Sequence, residues 1–237
     1  MVVILNNYFG RQFSSLNDVA IHPRNKEMYF TDVTYGFLQD FRPAPVLPNQ
    51  VYRFNPKTGL VGVVADGFDK PNGMSNLCLA CSKLTFRYHL LSRRYLCLYR
   101  RYRRAKRPKR AKFHPALYCV SIHTIAKSQH LTSSYRFTVN KDGSWGNRQT
   151  FAFVDVGFPD GIHCDTNGYV YAGCGDGVHV WNPAGQLIGK IYLGTASANF
   201  QFAGQGRMVI CAETELYYVT LGATGADITD YDYSQVS

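Results

Sequence analysis

The feature of this sequence that most restricts its fold is an internal repeat. Residues 17–30 read NDVAIHPRNKEMYF and residues 160–171 read DGIHCDTNGYVY. Each has a polar pair, an alternating strand, a polar turn and an aromatic-rich strand. Residues 51–64 (VYRFNPKTGLVGVV) and 178–191 (VHVWNPAGQLIGKI) make a second matching pair. There Val51, Phe54, Asn55, Pro56 and Gly59 align with Val178, Trp181, Asn182, Pro183 and Gly185, allowing one gap. The two halves together form a unit of two hairpins, about four strands with period-2 alternation. One such sheet cannot bury both faces alone, so units must stack side by side, as the blades of a β-propeller do. A β-sandwich of similar hairpins is the competing arrangement. The abundance of Tyr (17), Phe (15) and Gly (21) suits many short strands joined by turns.

A third repeat opens at Lys70-Pro71-Asn72-Gly73-Met74 and then stops. From Ser75 to Asp142 there is no glycine, and no acidic residue lies between Asp69 and Asp142. Residues 70–141 hold 17 of the 26 Lys and Arg, leaving nine basic against 16 acidic residues elsewhere, a net of −7. The formal charge of +10 therefore describes one block, and an acidic body suits cations better than phosphates. Repeat grammar returns at Tyr135–Val139 and the turn Asn140-Lys141-Asp142-Gly143. The expected organisation is 1–75, propeller; 76–133, a basic segment foreign to the fold; 134–221, propeller; and 222–237, an acidic disordered tail. The basic block reads as a frame change or a retained non-coding stretch, with a genuine disordered or helical insertion as the alternative. Residues 93–112 carry 11 Lys or Arg interleaved with tyrosines, a run that could hold phosphate backbones without sequence preference. Since it lies wholly in that block, a nucleic-acid partner is not expected. Cys78 and Cys81 have zinc-ligand spacing, but no second pair follows.

Seven cysteines, an odd number, give no disulfide framework. Cys164, Cys174 and Cys211 fall in strand-like text and are expected as buried thiols. His163 and His179 are expected to be structural, and Glu213 to be a strand-end charge. No apolar run approaches membrane-spanning length, and Met1–Leu5 is too short for a secretory leader. A monomer is expected, and the compartment is left open.

In a propeller, the turn leading into each innermost strand lies at one mouth of the central channel. Here those turns carry Asn17-Asp18, Asn72-Gly73 and Asp160-Gly161. Three repeats thus present an amide or carboxylate oxygen at one depth, the donor type that calcium or another hard divalent ion requires. The same residue types also cap ordinary turns. Equivalent placement in three repeats favours the site.

These residues resemble a known family. Leu16-Asn17-Asp18-Val19, Pro71-Asn72-Gly73 and Pro159-Asp160-Gly161 look like the metal-binding motifs of gluconolactonase and regucalcin-like lactonases. Tyr29-Phe30-Thr31-Asp32 and the run from Leu47 to Phe54 look closest to fungal lactonohydrolase-like members. The resemblance implies a six-bladed propeller and a divalent ion, calcium first and zinc second, held by Asn72 and Asp160 with Asn17 nearby. It implies hydrolysis of a small sugar-type lactone, with Asp160 as general base. The family's glutamate ligand, in an E-G-P type motif, has no counterpart here. The propeller is therefore expected to lack its N-terminal blade and to have a second blade disrupted, and the chain is expected to be weakly active or inactive. A non-catalytic propeller, either scaffold or calcium binder, is the alternative.

Overall fold

Alternating apolar residues bounded by Asn, Asp, Gly and Pro turns should make short antiparallel strands, and they do. The computed structural model describes residues 3–22, 25–77, 117–123, 132–204 and 206–226. After a hairpin of β1 (Asn7–Tyr8) and β2 (Arg11–Gln12), the strands form four sheets. The first holds β3 (Leu16–Ile21), β4 (Met28–Asp32), β5 (Gln50–Phe54) and β6 (Val61–Ala65). The second holds β7 (Lys70–Leu77), β8 (Leu117–His123), β9 (Thr132–Val139) and β10 (Trp145–Val154). The third holds β11 (Ile162–Cys164), β12 (Val170–Cys174), β13 (Gly177–Trp181) and β14 (Leu187–Tyr192). The fourth has three strands, β15 (Asn199–Phe202), β16 (Arg207–Ala212) and β17 (Glu215–Thr220). The one helix among the described residues, α1 (Tyr35–Leu38), lies in the long β4–β5 connection.

Each sheet is an antiparallel meander whose strands pair in chain order. The first strands of the sheets adjoin in series, β3 beside β7, β7 beside β11 and β11 beside β15. The fold is thus all-β, as expected. The described residues supply four such sheets, and a closed six-bladed ring is not seen among them.

Period-2 alternation explains how the sheets stack. Successive residues point to opposite faces, so each strand feeds two cores. Tyr29 and Val51 join Met74, Phe137 and Val139 between the first and second sheets, while their neighbours Phe30 and Tyr52 pack with Phe13 beneath the N-terminal hairpin. Phe151 meets Ile162, Val170 and Trp181 between the second and third sheets. Tyr171 and Val178 meet Phe200, Met208 and Ile210 between the third and fourth. One cluster per junction follows from the repeat. Each fully buried large apolar side chain contributes about 1.5–3 kcal/mol relative to exposure.

Polar ties cross the same junctions. The Arg53 guanidinium grips the buried Glu27 carboxylate through Nε (2.9 Å) and Nη2 (2.5 Å), and its Nη1 donates to the Asp142 carbonyl of the β9–β10 turn (2.5 Å). Fully buried His179 sets Nε2 2.5 Å from Asp176 Oδ1, while Lys190 joins Asp176 to Asp155 beyond β10. His163 packs edge-on against Phe200. Both histidines thus sit in the packing.

Three features differ from the sequence reading. Leu117–His123 pairs with both β7 and β9, so the sheet boundary falls inside residues 76–133 and the second sheet is four-stranded. The basic run 93–112 and Cys78-x-x-Cys81 lie outside the described residues. Cys164 and Cys174 are buried, but Cys211 is exposed, because it points away from the core face shared by Met208 and Ile210. At the start of the presumed tail, Thr166 N–H donates to the Thr224 carbonyl, and Asp165 bridges Gly225.

Candidate functional site

The predicted oxygen donors lie at or just before the beginnings of the first strands of three sheets, and the local backbone decides which of them converge. A register shift between Leu16 and Val19 in β3 leaves Asn17 exposed and turns Asp18 toward the second sheet. Asp18 Oδ2 accepts the Met74 N–H at 2.7 Å, and Oδ1 accepts the Val19 N–H at 2.8 Å. The Thr31 hydroxyl completes the join: it accepts the Asp18 N–H (3.0 Å) and donates to the Asn72 carbonyl (3.1 Å). Asn72 is thereby fixed at its backbone, and its residue is only 3% exposed.

The Asn72 side chain hydrogen-bonds to both the Asp160 carboxylate and the Tyr35 phenol, favouring the deprotonated form of each. An ionised Asp160 carboxylate can only accept, so the Asn72 amide N–H is the donor to it. Burial pushes the Asp160 carboxyl up to about 6 against that hydrogen bond, and the nearby Asp18 charge pushes the same way. The Tyr35 phenol is pushed up to about 12 by burial and by the Asp160 charge, with the Asn72 hydrogen bond opposing. Asn72 and Asp160 are thus together, with Asp18 and Tyr35 beside them.

Glycine sets the spacing. A Cβ on Gly73 would stand 2.0 Å from the Asp160 carbonyl oxygen, and one on Gly161 would stand 2.2 Å from Asn199 Oδ1. The residue after Asn72, and the one after Asp160, must lack a side chain for the next strand to approach. Asn199 opens β15 and holds Phe200 N–H at 2.8 Å, so it occupies in the fourth sheet the place Asn72 and Asp160 occupy in theirs.

Sequence reasoning did not assign Asp18, Tyr35 or Asn199. Asp18 was visible as the neighbour of Asn17, but the register shift that selects it leaves no period-2 trace. Asn199 was legible as a fourth repeat start. Tyr35 arrives on the β4–β5 connection, where no periodicity points to it.

The donors are carboxylates and amides, chemistry that fits a hard divalent cation. Among the described residues no group of three or more His, Cys, Asp or Glu could hold a metal, so amide oxygen must complete any such set.

Known proteins resemble this chain in sequence and fold. Residues 128–225 match the SMP-30/Gluconolactonase/LRE-like region. The resemblance to gluconolactonases extends over most of the chain. A lactonohydrolase, oryL, of Aspergillus oryzae is 28% identical over 214 residues, 86% of this chain and 43% of that protein. A gluconolactonase structure from Xanthomonas campestris superposes with a TM-score of 0.67 at 23% identity, over 92% of this chain and 60% of the other. Regucalcin from Agrobacterium tumefaciens, a calcium-binding protein, superposes with a TM-score of 0.56 at 12% identity, over 89% of this chain and 62% of the other. The chain spans less than half the length of that lactonohydrolase. No helix among the described residues is long and apolar enough to cross a membrane.

Proposed function

We propose that the site formed by Asn72, Asp160 and Asp18 is the hydrolytic centre of a small-lactone hydrolase built as a six-bladed propeller, and that it takes a divalent cation, calcium before zinc. The observation that carries this reading is the hydrogen bond from buried Asn72 to the half-buried Asp160 carboxylate, where β7 adjoins β11. Similarity to a lactonohydrolase and to a gluconolactonase supports the reaction class. Absence of His and Cys from the donors supports calcium.

Asn72 and Asp160 would hold the cation, with Asn17 at the exposed rim near the substrate. The cation would supply Lewis-acid polarisation of the lactone carbonyl. The chain's own residues supply position and proton transfer. Asn72 fixes the Asp160 carboxylate, which accepts the proton of the attacking water. In the cation-free site burial holds its carboxyl up to about 6, so it is largely ionised at neutral pH. Ring opening then frees a carboxylate and a hydroxyl.

Activity in this chain is expected to be low. Asp18 has both oxygens committed to backbone N–H groups, so Asp160 is the principal charge offered to a cation. That same shortage favours a calcium-binding scaffold as the second reading. A pH-stat assay on a sugar δ-lactone, with chelator and calcium add-back, tests both. Calcium-dependent hydrolysis lost in Asp160→Asn supports the hydrolase. Calcium binding without turnover supports the scaffold, and hydrolysis indifferent to both changes removes the site from consideration.

A further inference from the structure

We propose that His179 is a proton-operated clasp between the second and third sheets. On taking a second proton its imidazole binds the Asp155 carboxylate and fastens the segment that leads from β10 to Asp160. This inference does not depend on what the Asn72–Asp160 site does. The His179 ring is fully buried in β13 and stands between two carboxylates. Nε2 lies 2.5 Å from Asp176 Oδ1, while Nδ1 lies 3.8 Å from Asp155 Oδ1 and has no hydrogen-bond partner. The two carboxylates differ in their surroundings: the Asp176 side chain is 16% exposed and that of Asp155 is 64% exposed.

Charge fixes the direction of the closed contact. Burial raises the Asp176 carboxyl, but hydrogen bonds and charges from His179 and Lys190 outweigh it, so the net value is lowered. Asp176 is therefore a carboxylate at neutral pH, and a carboxylate only accepts, so Nε2 carries the hydrogen. In the neutral ring Nδ1 is then a bare acceptor that faces a second acceptor, and no bond can form between them. A proton on Nδ1 makes it a donor aimed at Asp155 Oδ1. The neighbours favour that proton. Lys190 Nζ lies 3.1 Å from Asp176 Oδ2 and 3.1 and 3.2 Å from the two Asp155 oxygens. Two carboxylates against one ammonium leave an excess negative charge, which an imidazolium cancels. From β12 the Cys174 thiol, pushed up to about 12 by burial, stays neutral, and the Trp181 ring 5.7 Å away carries no charge.

Closing the gap acts on a stretch already laced to the third sheet. The Val156 carbonyl accepts the Gly175 N–H at 3.0 Å, and the Asp160 N–H donates to the Gly173 carbonyl at 2.8 Å. Asp155 is the outer end of that stretch, and with His179 neutral only the Lys190 ammonium holds its side chain to the third sheet.

The test follows the His179 ring nitrogens by long-range proton–nitrogen NMR of the full chain from about pH 8.5 to about pH 5, the span in which imidazoles ordinarily exchange this proton. The signal is assigned by its loss in His179→Gln or, should that chain not fold, by its correlation to the β13 backbone. Nε2 should stay protonated throughout, and Nδ1 should gain its proton on acidification. Asp155→Asn should lower the midpoint by about one pH unit, a roughly tenfold loss of proton affinity, because the carboxylate that stabilises the imidazolium is gone. Asp155→Glu should restore it, and Asp66→Asn, at an exposed carboxylate of the first sheet, should leave it unchanged. Protection of the Gly175 amide against hydrogen exchange, corrected for its intrinsic rate, should rise about tenfold on acidification in the parent and stay flat in Asp155→Asn. An Nδ1 that keeps one protonation state over the whole span overturns the proposal. So does a midpoint indifferent to Asp155→Asn, or a Gly175 amide equally protected at both ends. None of these outcomes touches the reading of Asn72 and Asp160.

Discussion

Asp18 Oδ2 accepts the backbone N–H of Met74, 56 residues further along the chain, at 2.7 Å. This contact ties the first strands of the first two sheets at the level of the candidate site. Met74 is 2% exposed, so its N–H has no water to turn to. Asp18→Ala should therefore destabilise the chain by about 1–3 kcal/mol, the penalty for a buried donor left unmade. Asp18→Asn, which keeps an acceptor oxygen, should lose less. Urea unfolding of the two variants beside the parent measures the difference, and equal stability for Asp18→Ala would show the brace to be idle.

Asp160 should make the cation-free chain less stable as pH rises. Its carboxyl is held up to about 6 by burial, with the Asp18 charge adding to the effect and Asn72 opposing it. Below the ordinary carboxyl value both folded and unfolded chains carry the proton, and there is no penalty. Between about 4 and 6 the unfolded chain releases it first, and stability falls. Above 6 the full penalty, on the order of 3 kcal/mol, persists. Asp160→Asn should thus be more stable than the parent at pH 7.5 in chelator and equal to it at pH 4. Equal stability at both values would refute a burdened carboxylate.

Glu27 has the opposite sign. Burial raises its carboxyl, but hydrogen bonds and charge from Arg53 outweigh it, so the net value is lowered. Such a group contributes stability above its unfolded value, and that contribution is lost as pH falls through the folded one. Arg53→Met leaves the buried Glu27 carboxylate without its cation and frees the Asp142 carbonyl across the junction. A loss of about 3 kcal/mol at pH 7 is expected, toward the low end for a broken buried pair because Arg53 is partly exposed. The deficit should shrink toward pH 3. Denaturant titrations at three pH values check it.

How much of this was legible in the sequence depends on whether side-chain alternation controls the feature. Both Asn-Pro turns predicted hairpins, and β5–β6 and β13–β14 form there with Phe54 and Trp181 buried. That Asn72 and Asp160 come together could be read, because each precedes a glycine at the same point of its repeat. That Asp18 and not Asn17 turns toward the second sheet could not be read, because a single register shift exchanges which of two neighbours faces inward. Tyr35 was hidden for another reason: it reaches the site by the path of a long connection, which has no period. Leu117–His123 was masked by the composition around it, although its own alternation pairs it with two strands. Charge and glycine content mark where a sequence changes character. They do not mark where a sheet ends.

Gly73 offers the most local test of how the junction sets the site. The obstacle to a side chain there is steric: a Cβ would stand 2.0 Å from the Asp160 carbonyl oxygen and 2.9 Å from the Ile162 nitrogen, both backbone atoms that cannot rotate aside. Gly73→Ala must therefore push β11 from β7 and separate Asn72 from Asp160. A loss of about 2–3 kcal/mol is expected, in the range of overpacked interiors, together with loss of any calcium affinity. Gly62→Ala, in β6 with nothing within 4 Å of the added carbon, should be neutral or slightly stabilising. Unfolding and calcium calorimetry on the two variants separate these outcomes. A Gly73→Ala chain with parental stability and affinity would mean that the two strands do not approach as closely as the carbonyl contact requires.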